Sequence, residues 1–189
     1  MGPTVTDIDG NVYNTVIIGT QTWMVENLKV THYRNGNPIQ NVTDNNDWIG
    51  LTTGAFCWYN NDIINKNVYG ALYNWYTVSD TRNICPTGWH VATDADWYAL
   101  ENYVDNTIND PNAEGWRGTS GATKLKSESG WNGGGNGTDN YGFNLLPSGS
   151  RDIDGTFDDL TFIGYYWTNS SYSADEAWRR TFVYNYSGI

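Results

Sequence analysis

The sequence predicts an α+β fold, in which twisted antiparallel sheets combine with two short helices and long irregular loops. Three observations support this: strand-like alternation near both ends, two helix patterns near the middle, and a Gly- and Asn-rich stretch before the last strands. The 189 residues are within the usual size of one domain, so we expect residues 1–189 to form a single domain. Its core must draw on aromatic rings, because the chain has 10 Trp, 14 Tyr and 5 Phe.

The opening segment, residues 5–30, alternates apolar and polar residues as a β-strand does. Val12, Val16 and Ile18 are predicted to lie on one face of a hairpin. Asp9-Gly10 supplies the turn, because Asp and Gly readily adopt the left-handed backbone that tight hairpin turns require. We therefore expect an antiparallel strand pair in this part of the chain.

The next elements are a short strand and a short helix. Residues 55–62 begin with an aromatic run that stops at Asn60-Asn61, which is typical of a strand followed by a turn. In residues 69–78, Leu72, Trp75 and Tyr76 have the spacing of one helical face. The pattern therefore predicts that residues 69–78 form a helix.

A second helix has a clear start signal. Thr93 is a favourable N-cap, and Asp96 lies three residues later in the capping-box position. Acidic residues in the first turn also favour the positive end of the helix dipole. We expect this helix to run to about Asn106, with an apolar stripe formed by Trp97, Leu100 and Val104.

The last part of the chain predicts an irregular region followed by strands. Residues 111–140 are rich in Gly, Asn, Ser and Thr, and loops of this length are usually functional or disordered. Strands are predicted at residues 143–146, 162–168 and 177–184, with a turn at residues 147–149.

Charge excludes several classes of partner. The net charge is -11, and no cluster of Lys or Arg offsets it, so phosphate backbones and anionic lipid surfaces would be repelled. No apolar run approaches the roughly 20 residues of a membrane span. We therefore expect neither nucleic-acid binding nor membrane insertion, and the Asn-, Gly-, Thr- and Tyr-rich composition favours a secreted surface module.

Catalytic residues are sparse. We expect His90 to pack under the second helix with one nitrogen bonded to backbone, since no other His or Cys has ligand spacing from it. Cys57 lies in an aromatic strand, and Cys85 precedes a proline, so neither has a base nearby in sequence. The two cysteines are either free or paired with each other. We expect no enzymatic activity.

An acidic turn near residue 155 leaves two alternatives open. The segment RDIDGTFDD carries Asp152, Asp154, Asp158 and Asp159 around a glycine. Carboxylates are the hard oxygen ligands that calcium takes, so Asp152, Asp154 and Asp158 are candidate calcium ligands. The spacing does not match an EF-hand loop, and an acidic surface turn without metal is the alternative.

Aromatic residues among small polar ones give the main functional signal. Rigid amphipathic rings supply contact area, while Asn, Ser and Gly supply adaptable hydrogen bonds, as in binding surfaces. Flat rings beside amides also suit sugars. Trp167 and Trp178 fall in predicted strands and are expected in the core, whereas Trp116 and Trp131 fall in Gly-rich loops and are expected to be exposed. The predicted ligand-binding residues are Trp116, Trp131, Asn132, Tyr141, Tyr172 and Tyr186.

Six ordered segments, which together extend over nearly the whole chain, resemble the Fibrobacter succinogenes major paralogous domain family. These are VTDIDGNVYNTVIIGTQTWMVENLK (5–29), CWYNND (57–62), YGALYNWYTV (69–78), ICPTGWHVATDADW (84–97), GFNLLPSGSRDIDGTF (142–157) and GYYWTNSS (164–171). The resemblance implies an extracellular bacterial module, often carried by lipoproteins or larger surface proteins, with no established activity. The family is similar to the formylglycine-generating-enzyme type of C-type-lectin-like fold, which implies that fold here.

Two further comparisons can be made, one with lectin signatures, where a chance match in an Asn-rich region is the alternative, and one with the usual C-terminal strand of the family. Residues 110–112 followed by Trp131-Asn132 resemble the EPN and WND signatures of calcium-dependent lectins, although two of the six positions differ. Family members typically close with a strand that carries a cysteine, the usual partner of Cys85, and this strand is expected to be missing here. Truncation, a nonstandard partner or strand donation by another chain could each explain that difference.

The leading hypothesis is a non-catalytic ligand-binding or adhesion module of the bacterial cell surface that takes a glycan or protein ligand, without a cofactor unless calcium is bound. The alternative is a structural subunit that self-associates into a fibre or array by strand complementation.

Overall fold

Four small sheets and short helices form the mixed α+β architecture of this computed structural model, which describes residues 2–173 and 176–189. One antiparallel pair joins β1 (Val5–Thr6) to β2 (Val12–Tyr13), and another joins β3 (Thr15–Ile18) to β4 (Gln21–Met24). The third sheet contains β5 (Gln40–Asn41), β6 (Ala55–Cys57) and β7 (Leu72–Tyr73). The fourth contains, in spatial order, β11 (Ala177–Val183), β10 (Ile163–Ser171), β8 (Ser148–Arg151) and β9 (Phe157–Leu160).

One α-helix is much longer than the others. It is α4 (Asp94–Val104), with 11 residues, whereas the other α-helices of the described chain have four or five: α1 (Asn45–Trp48), α2 (Lys66–Tyr69), α3 (Trp75–Val78) and α5 (Gly121–Leu125). Within the described ranges, no helix is both long and apolar enough to span a bilayer. Short 3₁₀ turns cover Tyr59–Asn61, Ile63–Asn65 and Asn132–Gly134.

The predicted opening hairpin is present, but its faces differ from the prediction. Val12 is exposed, whereas Val16 and Ile18 are buried, so the prediction of one shared face is wrong. β2 and β3 belong to different sheets, and the alternation changes phase at Asn14 between them. In β2 the inward residue is Tyr13, which lies next to Val12.

The helix predicted over residues 69–78 is present only at its end, as the single turn of α3, and is wrong before it. Gly70, with a φ of 74°, ends α2, and the next residues form β7, which pairs with β6. Asn74 then starts the single turn of α3, because its side chain accepts a hydrogen bond from Thr77 N at 3.0 Å. The left-handed backbone of Gly70 and the capping side chain of Asn74 interrupt the helix, although the apolar residues have helical spacing.

The second predicted helix is confirmed as α4. Thr93 Oγ1 accepts a hydrogen bond from Asp96 N, and the Asp96 carboxylate accepts one from Thr93 N at 2.8 Å, which completes the capping box. The predicted stripe of Trp97, Leu100 and Val104 is buried. The expectation for His90 is wrong, because its exposed ring lies 3.0 Å from the Asp96 carboxylate and packs under no helix.

The late sheet contains two of the three predicted strands. β10 and β11 correspond to the predictions for residues 162–168 and 177–184. Residues 143–146 form no strand, since Leu145 makes only an isolated bridge to Lys126. The predicted turn at residues 147–149 instead begins β8, and β9 was not predicted. Phe143 and Leu145 are buried by packing in an irregular segment, which explains why their apolar pattern resembled a strand.

The buried apolar residues form three clusters. The first cluster packs α4 and α5 against β3 and β11, and includes Trp97, Leu100 and Phe182. The second cluster contains Val30, Phe56 and Cys85 among others, and the third contains Val42, Trp48, Ala55 and Cys57. Cys57 and Cys85 are both free, so of the two alternatives that the sequence left open, a disulfide between them is wrong. Each thiol is held in a different cluster, away from the other.

Candidate functional site

Five aromatic side chains line a single cleft of about 620 Å³ between the loop at residues 113–117 and the β10–β11 hairpin, here called the aromatic cleft. Its rings come from widely separated parts of the chain. They are Trp75, Trp116, Trp167, Tyr172 and Trp178. Because α3, the loop and the hairpin each contribute at least one ring, the cleft exists only in the folded domain.

The rim of the aromatic cleft consists of edge-to-face ring pairs. Trp116, which is 55 % exposed, packs against Tyr186 with ring centroids 5.0 Å apart. Tyr172, equally exposed, packs against Trp178 at 4.7 Å. Edge-to-face contacts of this kind fix the rings in position while leaving faces open to a ligand.

Beneath the rings, a group of charged side chains joins the loop to α4 and β11. Arg180 Nε donates a hydrogen bond to Glu101 Oε1 at 2.5 Å, and Arg117 Nη2 lies 2.6 Å from Glu101 Oε2. Arg180 Nη2 lies 2.7 Å from an oxygen of Asp94. The last two contacts are short enough to be ion pairs, but neither has the geometry of a hydrogen bond. Burial raises the pKa of Glu101, although the two arginines favour its charged form.

A second carboxylate holds the ends of the loop that carries Trp116. Asp105 Oδ2 accepts hydrogen bonds from the backbone N–H groups of Thr119 and Ser120 at 2.7 Å and of Gly121 at 3.1 Å. Thr107 donates to the other oxygen. Burial opposes ionisation, but these hydrogen bonds hold the pKa of Asp105 well below its usual range.

The aromatic cleft also offers both kinds of hydrogen-bonding group. The exposed carboxylates of Glu114 and Glu176 can accept hydrogen bonds, and the Arg179 guanidinium can donate them. The indole N–H groups of Trp116 and Trp178 donate to no other group of the described residues, so they are free for a ligand. Flat rings together with donors and acceptors suit a molecule that has apolar faces and several hydroxyls.

Three of the predicted ligand-binding residues are brought together here. Trp116 and Tyr172 line the aromatic cleft, and Tyr186 supports Trp116 at its rim. Asn132 is exposed in a 3₁₀ turn, and Tyr141 packs against Tyr103, with their ring centroids 6.0 Å apart. Neither Asn132 nor Tyr141 lines this cleft.

The expectation that Trp131 is exposed is wrong, since its side chain is 5 % exposed and belongs to the first cluster. Its indole N–H lies 3.1 Å from both Ser127 Oγ and Leu145 O. The Lys126 ammonium lies 4.9 Å from the ring centroid. The Gly-rich segment therefore folds over the core and inserts this ring, so Trp131 cannot contact a surface ligand in this conformation.

Sequence reasoning missed three rings of the aromatic cleft. Trp75 was assigned to a helix face, and Trp167 and Trp178 were expected in the core; all three are instead partly buried. Trp167 Nε1 donates to Tyr73 O at 2.8 Å, so one edge of this ring is fixed while another lines the cleft. Alternation gave no signal for Trp178, because this residue has the same strand parity as the buried Arg180 and Phe182 of β11.

The acidic turn does not gather its carboxylates around a common centre. Asp154 accepts hydrogen bonds from Thr156 N at 2.9 Å and Thr156 Oγ1 at 2.6 Å, which is a local turn arrangement. Across residues 2–173 and 176–189, no group of three His, Cys, Asp or Glu side chains is placed to hold a metal ion. Of the two alternatives that the sequence left open for Asp152, Asp154 and Asp158, the described side chains have the arrangement of an acidic turn and not that of a calcium site.

Both cysteines lie in environments that keep them protonated. Burial raises the pKa of Cys57 to about 11 and that of Cys85 to about 12. A thiol must ionise before it acts as a nucleophile, so both are unreactive at neutral pH while they remain buried.

No curated protein and no solved structure matches this chain. One family model does, that of the Fibrobacter succinogenes major domain, and its match extends over residues 16–187. This is well over half of the sequence, and it includes the α4 helix, the late sheet and every ring of the aromatic cleft. The chain therefore belongs to the Fibrobacter succinogenes major domain family.

Proposed function

We propose that this domain is a non-catalytic module of the bacterial cell surface that binds a carbohydrate in the aromatic cleft. The observation that carries the proposal is the convergence of five aromatic rings with exposed carboxylates and a guanidinium in one cleft. A sugar ring presents C–H faces that pack on aromatic rings, and its hydroxyls both donate and accept hydrogen bonds.

The cleft suits a neutral glycan better than an anionic one. Arg117 and Arg180 are already paired with buried Glu101, and Arg180 also lies beside Asp94. Among the described residues of the lining, the remaining charges are two carboxylates, Glu114 and Glu176, against one guanidinium, that of Arg179. An acidic ligand would therefore gain no net attraction in a protein whose charge is -11.

The proposal includes a C-type-lectin-like fold and an extracellular location. Support for the fold comes from the family resemblance, from the capped helix α4 and from the inner position of β10 in its sheet. Support for the location comes from a composition rich in Asn, Gly, Ser and Thr and poor in basic residues.

A glycan array followed by titration calorimetry tests the proposal. The variants Trp116→Ala and Trp178→Ala should each weaken binding of the selected glycan at least tenfold, since loss of a central aromatic contact costs roughly 2 kcal/mol. Tyr103→Ala is the matched control for Trp116→Ala, because the Tyr103 ring is 58 % exposed against 55 % for Trp116 but lies outside the cleft. Absence of any glycan ligand, or equal binding by Trp116→Ala, would contradict the proposal.

A second candidate function is self-assembly by strand addition. β11 lies at the end of its sheet, and on its outer side no other strand of the described chain pairs with it. An edge strand of seven residues offers unpaired backbone groups to a strand of another copy. Light scattering would then show assembly that grows with concentration and is suppressed by Thr181→Lys at this edge. A monomer at all concentrations would exclude it.

A further inference from the structure

The dipeptide Asn-Gly occurs three times in this chain, at Asn35-Gly36, Asn132-Gly133 and Asn136-Gly137. An asparagine followed by glycine is open to a spontaneous reaction, because glycine has no Cβ to shield its backbone nitrogen from the preceding side chain. All three asparagines are exposed, so access to water does not distinguish them. Their hydrogen bonds do.

The reaction replaces the side-chain amide of asparagine by a carboxylate. The backbone nitrogen of the glycine attacks Cγ of the asparagine, so that an N–Cγ bond forms and the Cγ–Nδ2 bond breaks. The proton that leaves the glycine nitrogen ends on the side-chain nitrogen, which departs as ammonia. Water then adds to either carbonyl of the cyclic imide and opens it, which gives aspartate or its isomer isoaspartate. Solvent water is the only co-reactant.

The Asn35-Gly36 pair is held out of this reaction by its turn. Gly36 N donates a hydrogen bond to Tyr33 O at 2.8 Å, so the attacking nitrogen is engaged elsewhere. Asn35 Oδ1 separately accepts a hydrogen bond from Asn37 N at 3.0 Å. Reaction at this pair therefore requires both hydrogen bonds to break.

The Asn136-Gly137 pair is held in the same way. Gly137 N donates a hydrogen bond to Ser127 O at 2.9 Å. Asn136 Oδ1 accepts one from Trp131 N at 3.0 Å. Because Trp131 is buried in the first cluster, the Asn136 side chain is anchored to the core and kept from the glycine nitrogen.

The Asn132-Gly133 pair has the opposite arrangement. Gly133 N lies 2.7 Å from Asn132 Oδ1 and donates its hydrogen bond to that atom. The attacking nitrogen therefore already lies beside the side-chain carbonyl that it must attack. Backbone bonds fix this turn, since Asn132 N donates to Thr161 O at 2.8 Å and Gly135 N donates to Asn132 O at 2.9 Å. The two reacting groups are thus brought together by the fold.

We propose that Asn132 is a site of spontaneous modification, at which the folded protein converts asparagine to aspartate and isoaspartate. The new carboxylate would arise in a turn that packs against the Tyr184 ring, since a Cβ added at Gly133 would lie 3.1 Å from Tyr184 Cε2. Asn132 does not line the aromatic cleft, so this modification is independent of the proposed glycan function.

The test is incubation of the wild-type protein at pH 7.5 and 37 °C in water enriched in ¹⁸O, followed by pepsin digestion in acid and tandem mass spectrometry. Because opening of the imide takes its oxygen from water, the label separates conversion during incubation from conversion during digestion. Asn132 should convert roughly tenfold faster than Asn35 or Asn136, since each hydrogen bond that must break at those sites is worth a factor of several.

The same incubation in guanidinium chloride is the control, because unfolding removes the hydrogen bonds of all three pairs. The three asparagines should then convert at similar rates, and the selectivity for Asn132 should disappear. Asn132→Gln should show almost no conversion at this position, because its longer side chain must close a larger ring that forms more slowly. Equal rates at the three sites of the native protein, or faster conversion at Asn35 or Asn136, would overturn the proposal.

Discussion

Arg117 Nη2 lies 2.6 Å from Glu101 Oε2, so the residue that follows Trp116 is joined to a carboxylate with no exposed surface. Arg180 of β11 pairs with the other oxygen of the same carboxylate. One glutamate on α4 thus holds two walls of the aromatic cleft in register.

Glu101→Gln should be strongly destabilising. It would leave two guanidinium groups in a largely buried site without their common counter-charge, and breaking such a pair on one side costs about 3–5 kcal/mol. Urea unfolding would measure the loss. Arg82→Gln, which removes the more exposed Arg82–Asp80 pair and the contact of Arg82 with the Tyr33 ring, should lower the unfolding midpoint far less. Equal midpoints for wild type and Glu101→Gln would refute the role given to Glu101.

Trp131→Ala and Trp116→Ala should differ sharply in stability. Truncation of the buried ring leaves a cavity in the first cluster and should lower the free energy of unfolding by about 3–5 kcal/mol. Truncation of the exposed ring should change it by less than about 1 kcal/mol. Chemical unfolding of both variants checks this, and a similar loss in the two would show that the placement of Trp131 is wrong.

Asp105→Asn should destabilise the protein by about 1.5–3 kcal/mol at pH 7, because it replaces a charged acceptor of several backbone hydrogen bonds. The folded pKa of Asp105 is depressed, so its contribution is present above the unfolded value near 4. The contribution is lost as the pH falls towards the folded value. The difference between wild type and variant should therefore shrink below pH 4. A control is Asp110→Asn, where the carboxylate bonds a single backbone N–H in an exposed turn.

Lys126 should make stability rise with pH in mildly alkaline solution. Burial lowers its pKa to about 8 from the usual 10.5. Between these values the unfolded chain binds one more proton than the folded chain, so the free energy of unfolding increases as the pH rises. Between pH 7.5 and 9.5, wild type should gain about 1–2 kcal/mol relative to Lys126→Met. Parallel pH profiles for the two proteins would contradict this.

Both thiols should be protected in the folded protein and accessible after unfolding. A chromogenic disulfide reagent at pH 8 should react slowly with native protein and should count two thiols per chain in denaturant. The variants Cys57→Ser and Cys85→Ser should each reduce the count to one. A count of zero in denaturant would show that Cys57 and Cys85 form a disulfide, which is the alternative that the sequence left open.

Elements whose formation depends on residues close together in the chain could be predicted from the sequence, whereas elements that depend on tertiary contacts could not. The capping box of Thr93 and Asp96 operates within one turn, so residue spacing was enough to locate α4. β10 and β11 were recognisable from their aromatic, β-branched composition. The helix predicted over residues 69–78 failed because Leu72 pairs with Cys57 in β6, a tertiary contact that no local pattern reveals.

The candidate site was less predictable for the same reason. Trp131 lies among glycines, which indicates a loop, but packing against Leu145 and Lys126 decides that the ring is buried. Trp75 and Trp167 have ring centroids 5.8 Å apart, although 92 positions separate them in the chain. Cavities between such residues depend on the whole fold, so composition indicated aromatic recognition without locating it.

Trp167 stands in the wall of both the aromatic cleft and a second hollow of about 650 Å³ that Leu145 and Tyr166 also line, with its indole N–H fixed to Tyr73 O. One ring therefore separates two openings of similar volume. A shift of this ring towards either side narrows one opening and widens the other, so the shapes of the two are mechanically linked.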